Sequence, residues 1–168
     1  TYTCTVCGSS YISDYIDPVT QVSFSCIVES YLSETDEILV ELIKRGQEEA
    51  EYSLSLAGNS AEFTFENILS GAYTVRISKN NHVTREYTII IEEEMDVSQF
   101  KIHLVGDING DGKVNSVDAA RVNAQARGAG SLEDYFLQCA DVNGDGKVNS
   151  VDAARVNAHA RQVSSLWK

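Results

Sequence analysis

The chain has few of the residue types on which several classes of protein depend. Its 168 residues include one proline, one methionine and three histidines, and 13 basic residues stand against 25 acidic ones, for a net charge of −12. Nucleic acids and anionic membranes attract basic surfaces, so we expect neither as a partner. No apolar run approaches the roughly 20 residues that span a bilayer, so we predict no membrane insertion.

The four cysteines do not form the pattern of a disulfide framework. Cys4 and Cys7 make one Cys-x-x-Cys pair, whereas Cys26 and Cys139 stand alone. A structural zinc site commonly takes its four ligands from two such pairs. Two interpretations of the pair stay open: half of a zinc site, or, favoured here, a metal-free pair at the end of an upstream module. Cys26 alternates with apolar residues and is predicted to be a buried thiol in a strand.

The histidines give no support to catalysis. His82, His103 and His159 form no motif with a nucleophile or with a pair of acids. We interpret His82 as a residue at a strand end and His103 as one that faces outward. The chain begins at Thr1 without a starting methionine, which we interpret as a fragment whose parent protein carries an enzyme or a carbohydrate-binding module upstream. The fragment itself is expected to be noncatalytic.

The first two thirds of the sequence predict strands. Residues 1–18 are interpreted as the tail of an upstream module or a linker, and residues 19–105 as one β-sandwich domain. Apolar residues at every second position give each strand one face for a core, and turn signals separate the runs. Six or seven short strands of this kind are typical of a sandwich. The inward sets are Val22, Phe24, Cys26 and Val28; Ile38, Val40 and Leu42; Phe63 and Phe65; Tyr73, Val75 and Ile77; Tyr87, Ile89 and Ile91; and Phe100, Ile102 and Leu104.

Residues 106–168 contain a duplication. Residues 107–127 and 141–161 are identical at 19 of 21 positions. Each copy opens with carboxylates and amides at the spacing of a calcium loop, and calcium prefers several oxygen ligands. We therefore predict two Ca²⁺ ions. The ligands at loop positions 1, 3, 5, 7, 9 and 12 are Asp107, Asn109, Asp111, Lys113, Asn115 and Asp118 in the first copy, and Asp141, Asn143, Asp145, Lys147, Asn149 and Asp152 in the second. Each lysine contributes only its carbonyl.

A helix of small residues is predicted after each loop. Ala119, Val122 and Ala126 fall on one stripe, assigned to the core. The opposite stripe carries small residues and an arginine, which suit close packing against a flat partner surface. With the residues at the helix start, this predicted partner face is Ser116, Val117, Ala120, Arg121, Asn123, Ala124 and Gly128 in the first copy, and Ser150, Val151, Ala154, Arg155, Asn157, Ala158 and Gln162 in the second. Between the copies, Ser131 is the predicted N-cap of a middle helix with the apolar stripe Leu132, Tyr135, Phe136 and Cys139.

Two family resemblances follow from these motifs. The stretch FENILSGAYTV at residues 65–75 resembles the Cna-B or carboxypeptidase-regulatory-like sandwiches. The duplicated loop and helix, with Asp at position 12 and no entering helix before Asp107, resembles the dockerin family. A sandwich directly before a dockerin is similar to the X-module–dockerin pairs of bacterial cellulosomes.

The resemblance implies a fold and a partner. The expected fold is a multi-domain chain, with an all-β, Ig-like or Cna-B-like sandwich followed by a small all-α dockerin of two F-hand calcium loop–helix motifs. The implied function is that of a secreted or cell-surface adaptor, monomeric when free, which binds a cohesin module of a scaffold protein. In dockerins the residues at loop positions 10 and 11 often set specificity, which here are Ser116-Val117 and Ser150-Val151. The alternative is an EF-hand-like calcium sensor or buffer, but a sensor groove needs bulky, Met-rich helices.

Overall fold

A computed structural model of the chain describes residues 2–3, 10–11, 20–93 and 95–167. Cys4, Cys7 and most of the predicted upstream tail lie outside these residues. The strands are β1 (Tyr2–Thr3), β2 (Ser10–Tyr11), β3 (Gln21–Glu29), β4 (Glu37–Lys44), β5 (Tyr52–Ala57), β6 (Ser60–Leu69), β7 (Gly71–Lys79), β8 (Arg85–Ile91) and β9 (Ser98–Lys101). The helices are α1 (Ser116–Ala126), α2 (Asp134–Ala140) and α3 (Ser150–Ala160).

Strands β3 to β9 form the two layers of a sandwich. One sheet has the order β6-β3-β9 and the other β5-β4-β7-β8. All pairs are antiparallel except β3 with β9, which run in the same direction. Within the described residues, the short strands β1 and β2 pair with each other and with no other strand. The predicted sandwich followed by a small helical region is therefore confirmed.

The predicted inward faces meet in one core between the sheets. The core residues of β3, β4, β6 and β7 are almost completely buried, and Cys26 is one of them. Burial raises the pKa of the Cys26 thiol to about 12, as expected of an apolar site. The rings of Tyr87 and Phe100 close one end of the core, with centroids 4.5 Å apart. The alternating pattern identified these faces because successive side chains in a strand point to opposite sides.

Two strands differ from the prediction. Strand β5 was missed, because it lies at a sheet edge, where its apolar residues Leu54 and Leu56 remain partly exposed and do not stand out as a core face. Strand β9 ends at Lys101, so Ile102 and Leu104 do not continue it as predicted. Instead Leu104 forms an isolated bridge with His82. The segment that contains this bridge leads the chain out of the sandwich and into the helical region.

The helical region has its own small core. Helices α1 and α3 pack against each other through Val122 and Val156, with Ile108 and Cys139 beside them. The predicted inner stripe is confirmed at Ala119 and Val122, which are both buried. The prediction for Ser131 is wrong. Helix α2 begins at Asp134 with Glu133 as its N-cap, and no side chain caps it.

A buried lysine at the end of β7 joins the β3–β4 connection to the β5–β6 connection at one end of the sandwich. Lys79, at the end of β7, is 7% exposed. Its ammonium donates to the carbonyl oxygens of Tyr31, Ser33 and Gly58 at 3.2, 2.7 and 2.7 Å. It also donates to Ser30 Oγ at 3.1 Å and Asn59 Oδ1 at 3.0 Å. Burial lowers the pKa of this ammonium, and the nearby Asp36 partly opposes that effect.

We predict that Lys79→Met lowers the free energy of unfolding by about 3 kcal/mol, because five oxygen acceptors lose their shared charged donor. Urea unfolding at saturating calcium measures the change. Lys44→Met, at the half-buried end of β4, is the control and should cost well under half as much. Equal losses in the two variants would contradict the role assigned to Lys79.

Candidate calcium loops and docking face

In the first loop the carboxylates are held by backbone N–H groups. Asp107 Oδ1 accepts from Gly110 at 2.8 Å and from Asp111 at 3.2 Å, and Oδ2 accepts from Gly112 at 2.9 Å. Asp107 is fully buried. Burial raises its pKa, the N–H donors of Gly112 and Gly110 oppose that effect, and repulsion from Asp118 and Asp111 adds to it.

The second loop repeats this arrangement closely. Asp141 Oδ1 accepts from Gly144 at 2.9 Å and from Asp145 at 3.1 Å, and Oδ2 accepts from Gly146 at 2.7 Å. In both loops the amide at position 3 donates to the carboxylate at position 5: Asn109 to Asp111 at 2.8 Å, and Asn143 to Asp145 at 2.9 Å. The backbone N–H groups of Lys113 and Lys147 donate to the same position-5 carboxylates.

Positions 9 and 12 of each loop also start the following helix. Asn115 caps α1 by accepting from Val117 N at 2.8 Å, while Asp118 accepts from Asn115 N at 2.9 Å. The same capping box joins Asn149 and Asp152 at the start of α3. The sequence pattern predicted these residues only as calcium ligands. The Asn-x-x-Asp spacing is itself a capping signal and could have revealed this second role.

The carboxylates do not converge on a metal centre in this structure. Within the described residues, no three His, Cys, Asp or Glu side chains come together closely enough to hold a metal ion. The donor set nevertheless fits a hard cation, because it consists of oxygens. Asp152 Oδ1 is buried and has no hydrogen-bond partner, and a buried carboxylate oxygen without a proton or a cation is costly. This oxygen is the observation that favours a cation in the second loop.

The outer stripes of the two helices are exposed as predicted. Val117 and Val151 are each 49% exposed, and Arg121 and Arg155 lie beside them on the same surface. An open groove between α1 and α3 is lined by the serines that begin the helices, by four alanines, and by Asn123 and Asn157. Six of the fourteen residues of the predicted partner face therefore line one groove formed by both copies: Ser116, Ala120, Asn123, Ser150, Ala154 and Asn157.

The outer stripe of each helix ends before the last residue predicted for it. Helix α1 ends at Ala126 and α3 at Ala160, so Gly128 and Gln162 lie beyond the helix ends rather than on them. Both adopt a positive φ, +73° at Gly128 and +58° at Gln162. Glycine accepts this conformation without strain, whereas glutamine does not. The substitution between the copies therefore falls at a helix terminus.

The other helical difference between the copies preserves a contact. Gln125 Oε1 accepts from Leu132 N at 3.3 Å, and His159 Nδ1 accepts from Leu166 N at 3.2 Å. Each side chain accepts a hydrogen bond from the backbone N–H of a leucine seven residues further along the chain. The Ser-Leu pairs at 131–132 and 165–166 carry the duplication beyond Arg127 and Arg161, a signal that the sequence analysis missed.

Two buried histidines lie where the sandwich meets the first loop. His82 follows the end of β7, in line with the predicted strand-end position, and is 8% exposed. His103 was expected to face outward, and this prediction is wrong because only 6% of it is exposed. His82 Nε2 accepts from Tyr31 N at 3.0 Å. The ring of His103 packs against Tyr135 and Phe136 of α2, with centroids 5.7 and 5.4 Å away. Alternation identified His103 as outward because the helix that covers it comes later in the chain.

Tyr135 joins the two regions by hydrogen bonds as well. Its hydroxyl accepts from His103 N at 2.9 Å and donates to Val83 O at 3.2 Å. The guanidinium of Arg85 lies over its ring, 4.3 Å from the centroid. At the other end of the helical region, Trp167 Nε1 donates to Val105 O at 3.3 Å. The region is therefore attached to the sandwich by aromatic, polar and cation–π contacts together.

Residues 105–159 match the family model described as dockerin type I domain, which covers both loops and most of α3. By this match, residues 105–159 are similar to dockerin type I domains. No curated protein matches the chain significantly. No helix of the described residues is long and apolar enough to cross a membrane.

Solved structures also resemble the chain. Two of them are a C-terminal and an N-terminal interface mutant of a type II cohesin–X-dockerin complex from Acetivibrio cellulolyticus. Each shares 20% identity and a TM-score of 0.40, over 80% of this chain and 92% of the other.

We predict that burial of His103 makes the protein less stable in mild acid. Burial lowers the pKa of His103 from its usual 6.5 to about 4, with help from Lys101, Arg85 and His82. Between these values the unfolded chain holds more protons, so stability should rise with pH. Urea unfolding at saturating calcium should show about 2 kcal/mol more loss between pH 7.5 and pH 5 in the wild type than in His103→Gln. The same loss in both proteins would contradict this assignment.

Proposed function

We propose that the chain is a noncatalytic, calcium-dependent adaptor in which residues 106–168 bind a cohesin module of a scaffold protein and residues 19–105 form an X-module. The exposed surface shared by α1 and α3 is the observation that carries the proposal. It presents the same small residues and arginines twice, as a dockerin needs for docking onto a cohesin. The adaptor would act outside the cell, in a bacterial polysaccharide-degrading assembly, and would be monomeric when free.

Calcium supplies the counter-charge that the loops need. Dockerin type I domains bind calcium as a class. In each loop of this chain the side-chain oxygens at positions 1, 3, 5 and 12 and the carbonyl at position 7 would hold one ion, with position 9 contributing through water. Asp118 and Asp152 are both fully buried at the start of a helix. An ion beside them would therefore stabilise the loop and the first turn of the helix together.

The rival function, a calcium sensor, finds no support in the helices. A sensor opens a groove lined by bulky, flexible side chains. Here the groove between α1 and α3 is lined by Ser, Ala and Asn. Such a surface suits a rigid, flat partner and offers no deep pocket for the anchor residues of a target helix.

Capture by immobilised cohesins tests the adaptor function directly. We expect at least one cohesin of a broad panel to retain the protein in calcium and to release it in chelator. A lysozyme-coated matrix is the control for adhesion of an acidic protein. Retention that persists unchanged in chelator, or no retention by any cohesin type, would contradict the proposal.

We predict that calcium raises the helical content of the chelated protein, because without it each loop gathers like charges around a small core. Far-UV circular dichroism during a calcium titration measures the change. Asp107→Ala and Asp141→Ala form a matched pair, and each should reduce the stoichiometry from two ions to one. An unchanged spectrum in the wild type would contradict this prediction.

We predict that the docking face works in two orientations related by roughly 180°, because its two halves carry the same residues. Replacing Val117 and Arg121 by Asp and Glu should weaken cohesin binding only slightly, since the second copy can take over. The same changes at Val151 and Arg155 should also be mild, and the four changes together should abolish binding. Calorimetry with one cohesin measures all three variants. Complete loss from either pair alone would show a single orientation.

A further inference from the structure

The two calcium loops have different surroundings despite their almost identical sequences. A Cβ atom placed on Gly112 would overlap the ring of Tyr31, whereas one on Gly146 would meet no atom within 4 Å. A Cβ on Gly110 would lie 3.1 Å from His103 Nε2, and Gly144 again faces open space. The backbone conformations match, with φ of +82° and +81° at Gly112 and Gly146. In the part of the chain that the structure describes, the sandwich therefore covers the first loop at these glycines and does not cover the second.

Tyr31, the residue that covers the loop, is anchored in the sandwich. Its N–H donates to His82 Nε2 at 3.0 Å, and its carbonyl accepts from Lys79 Nζ at 3.2 Å. Its hydroxyl donates to Gly110 O at 3.2 Å. The ammonium of Lys101 lies over its ring, 5.2 Å from the centroid. One side chain thus connects the loop to groups that are themselves held by β7 and β9.

The carboxylates of the loops reflect this difference. Asp107 is fully buried, whereas Asp141, its counterpart, is half-buried. Asp118 Oδ1 accepts from Ile108 N at 2.9 Å and Asn109 N at 3.2 Å. The corresponding oxygen of Asp152 has no partner. The unpaired oxygen favours a cation in the second loop, whereas the contacts with Tyr31 and His103 restrict the backbone of the first loop.

We infer that the sandwich makes the two loops unequal, so that the first binds Ca²⁺ more tightly and releases it more slowly than the second. This inference rests on the proposed calcium function of the loops. A loop that Tyr31 and His103 already hold loses less conformational freedom when an ion binds. Release from it also requires contacts with the sandwich to break. Tyr31 is a positioning residue, because it acts through the loop backbone and not on the ion.

Single-loop variants test the inequality. Asp145→Ala leaves the first loop intact and Asp111→Ala the second, and calorimetry with Ca²⁺ measures the affinity of each. We expect the first loop to bind at least ~10-fold more tightly, equivalent to about 1.4 kcal/mol, and to release Ca²⁺ more slowly to a chelator in stopped flow. Adding Tyr31→Ala should lower the Ca²⁺ affinity of the first loop and leave that of the second unchanged. Equal affinities and release rates would overturn the inference and leave the calcium function standing.

A matched glycine pair supplies a second measurement that keeps every carboxylate. Gly112→Ala and Gly146→Ala introduce the same backbone strain, but only the first also meets Tyr31. Gly112→Ala should therefore weaken one of the two calcium-binding steps more than Gly146→Ala does, and the Tyr31→Ala background should remove the difference. Equal effects of the two substitutions would overturn the inference. Failure of both loops to bind Ca²⁺ in every variant would overturn the proposed calcium function as well.

Discussion

The stability of the helical region depends on how it holds buried negative charges beside a very small apolar core. Its buried cluster has only seven residues, of which three are alanines and the larger members are Ile108, Val122, Val156 and Cys139. Three carboxylates, Asp107, Asp118 and Asp152, are buried in the same region. Apolar burial on this scale offsets little of the cost of confining such charges. The backbone N–H groups of the loops and the proposed cations must therefore carry much of the stability.

The sandwich relieves part of this constraint. It has a full apolar core of its own, and it extends a patch of aromatic and histidine side chains toward the first loop. Burial of His103 keeps its imidazole neutral near pH 7, so no further charge enters the junction. The contact with Tyr135 then links α2 to the exit from the sandwich. The X-module would accordingly act as a structural part of the dockerin fold as well as a spacer.

Local patterns predicted most of the fold. Alternation located the core faces of β3, β4, β6 and β7, and the duplication located both loops and both long helices, because these features depend on neighbours along the chain. The failures have another origin. Whether β5 is a strand depends on its partner β4, and the burial of His103 depends on Tyr135 and Phe136, which come 32 and 33 residues later in the sequence. Contacts of this kind leave no periodic signal.

The same limit applies to the candidate site. The sequence placed the loop carboxylates and the exposed stripes, but near-identical copies implied equivalent sites. The structure separates two kinds of symmetry. Val117 and Val151 are equally exposed on the helix surface, so the proposed docking face keeps the twofold character of the duplication at these positions. The loops lose it, because Tyr31 reaches only the first. A cohesin bound in either orientation would meet nearly the same residues, with Gly128 and Gln162 as the difference between the two halves of the proposed face. The sandwich would then stand beside a different end of the partner in each orientation. A preference for one binding orientation would then arise mainly from the sandwich, because the two helices present nearly the same residues.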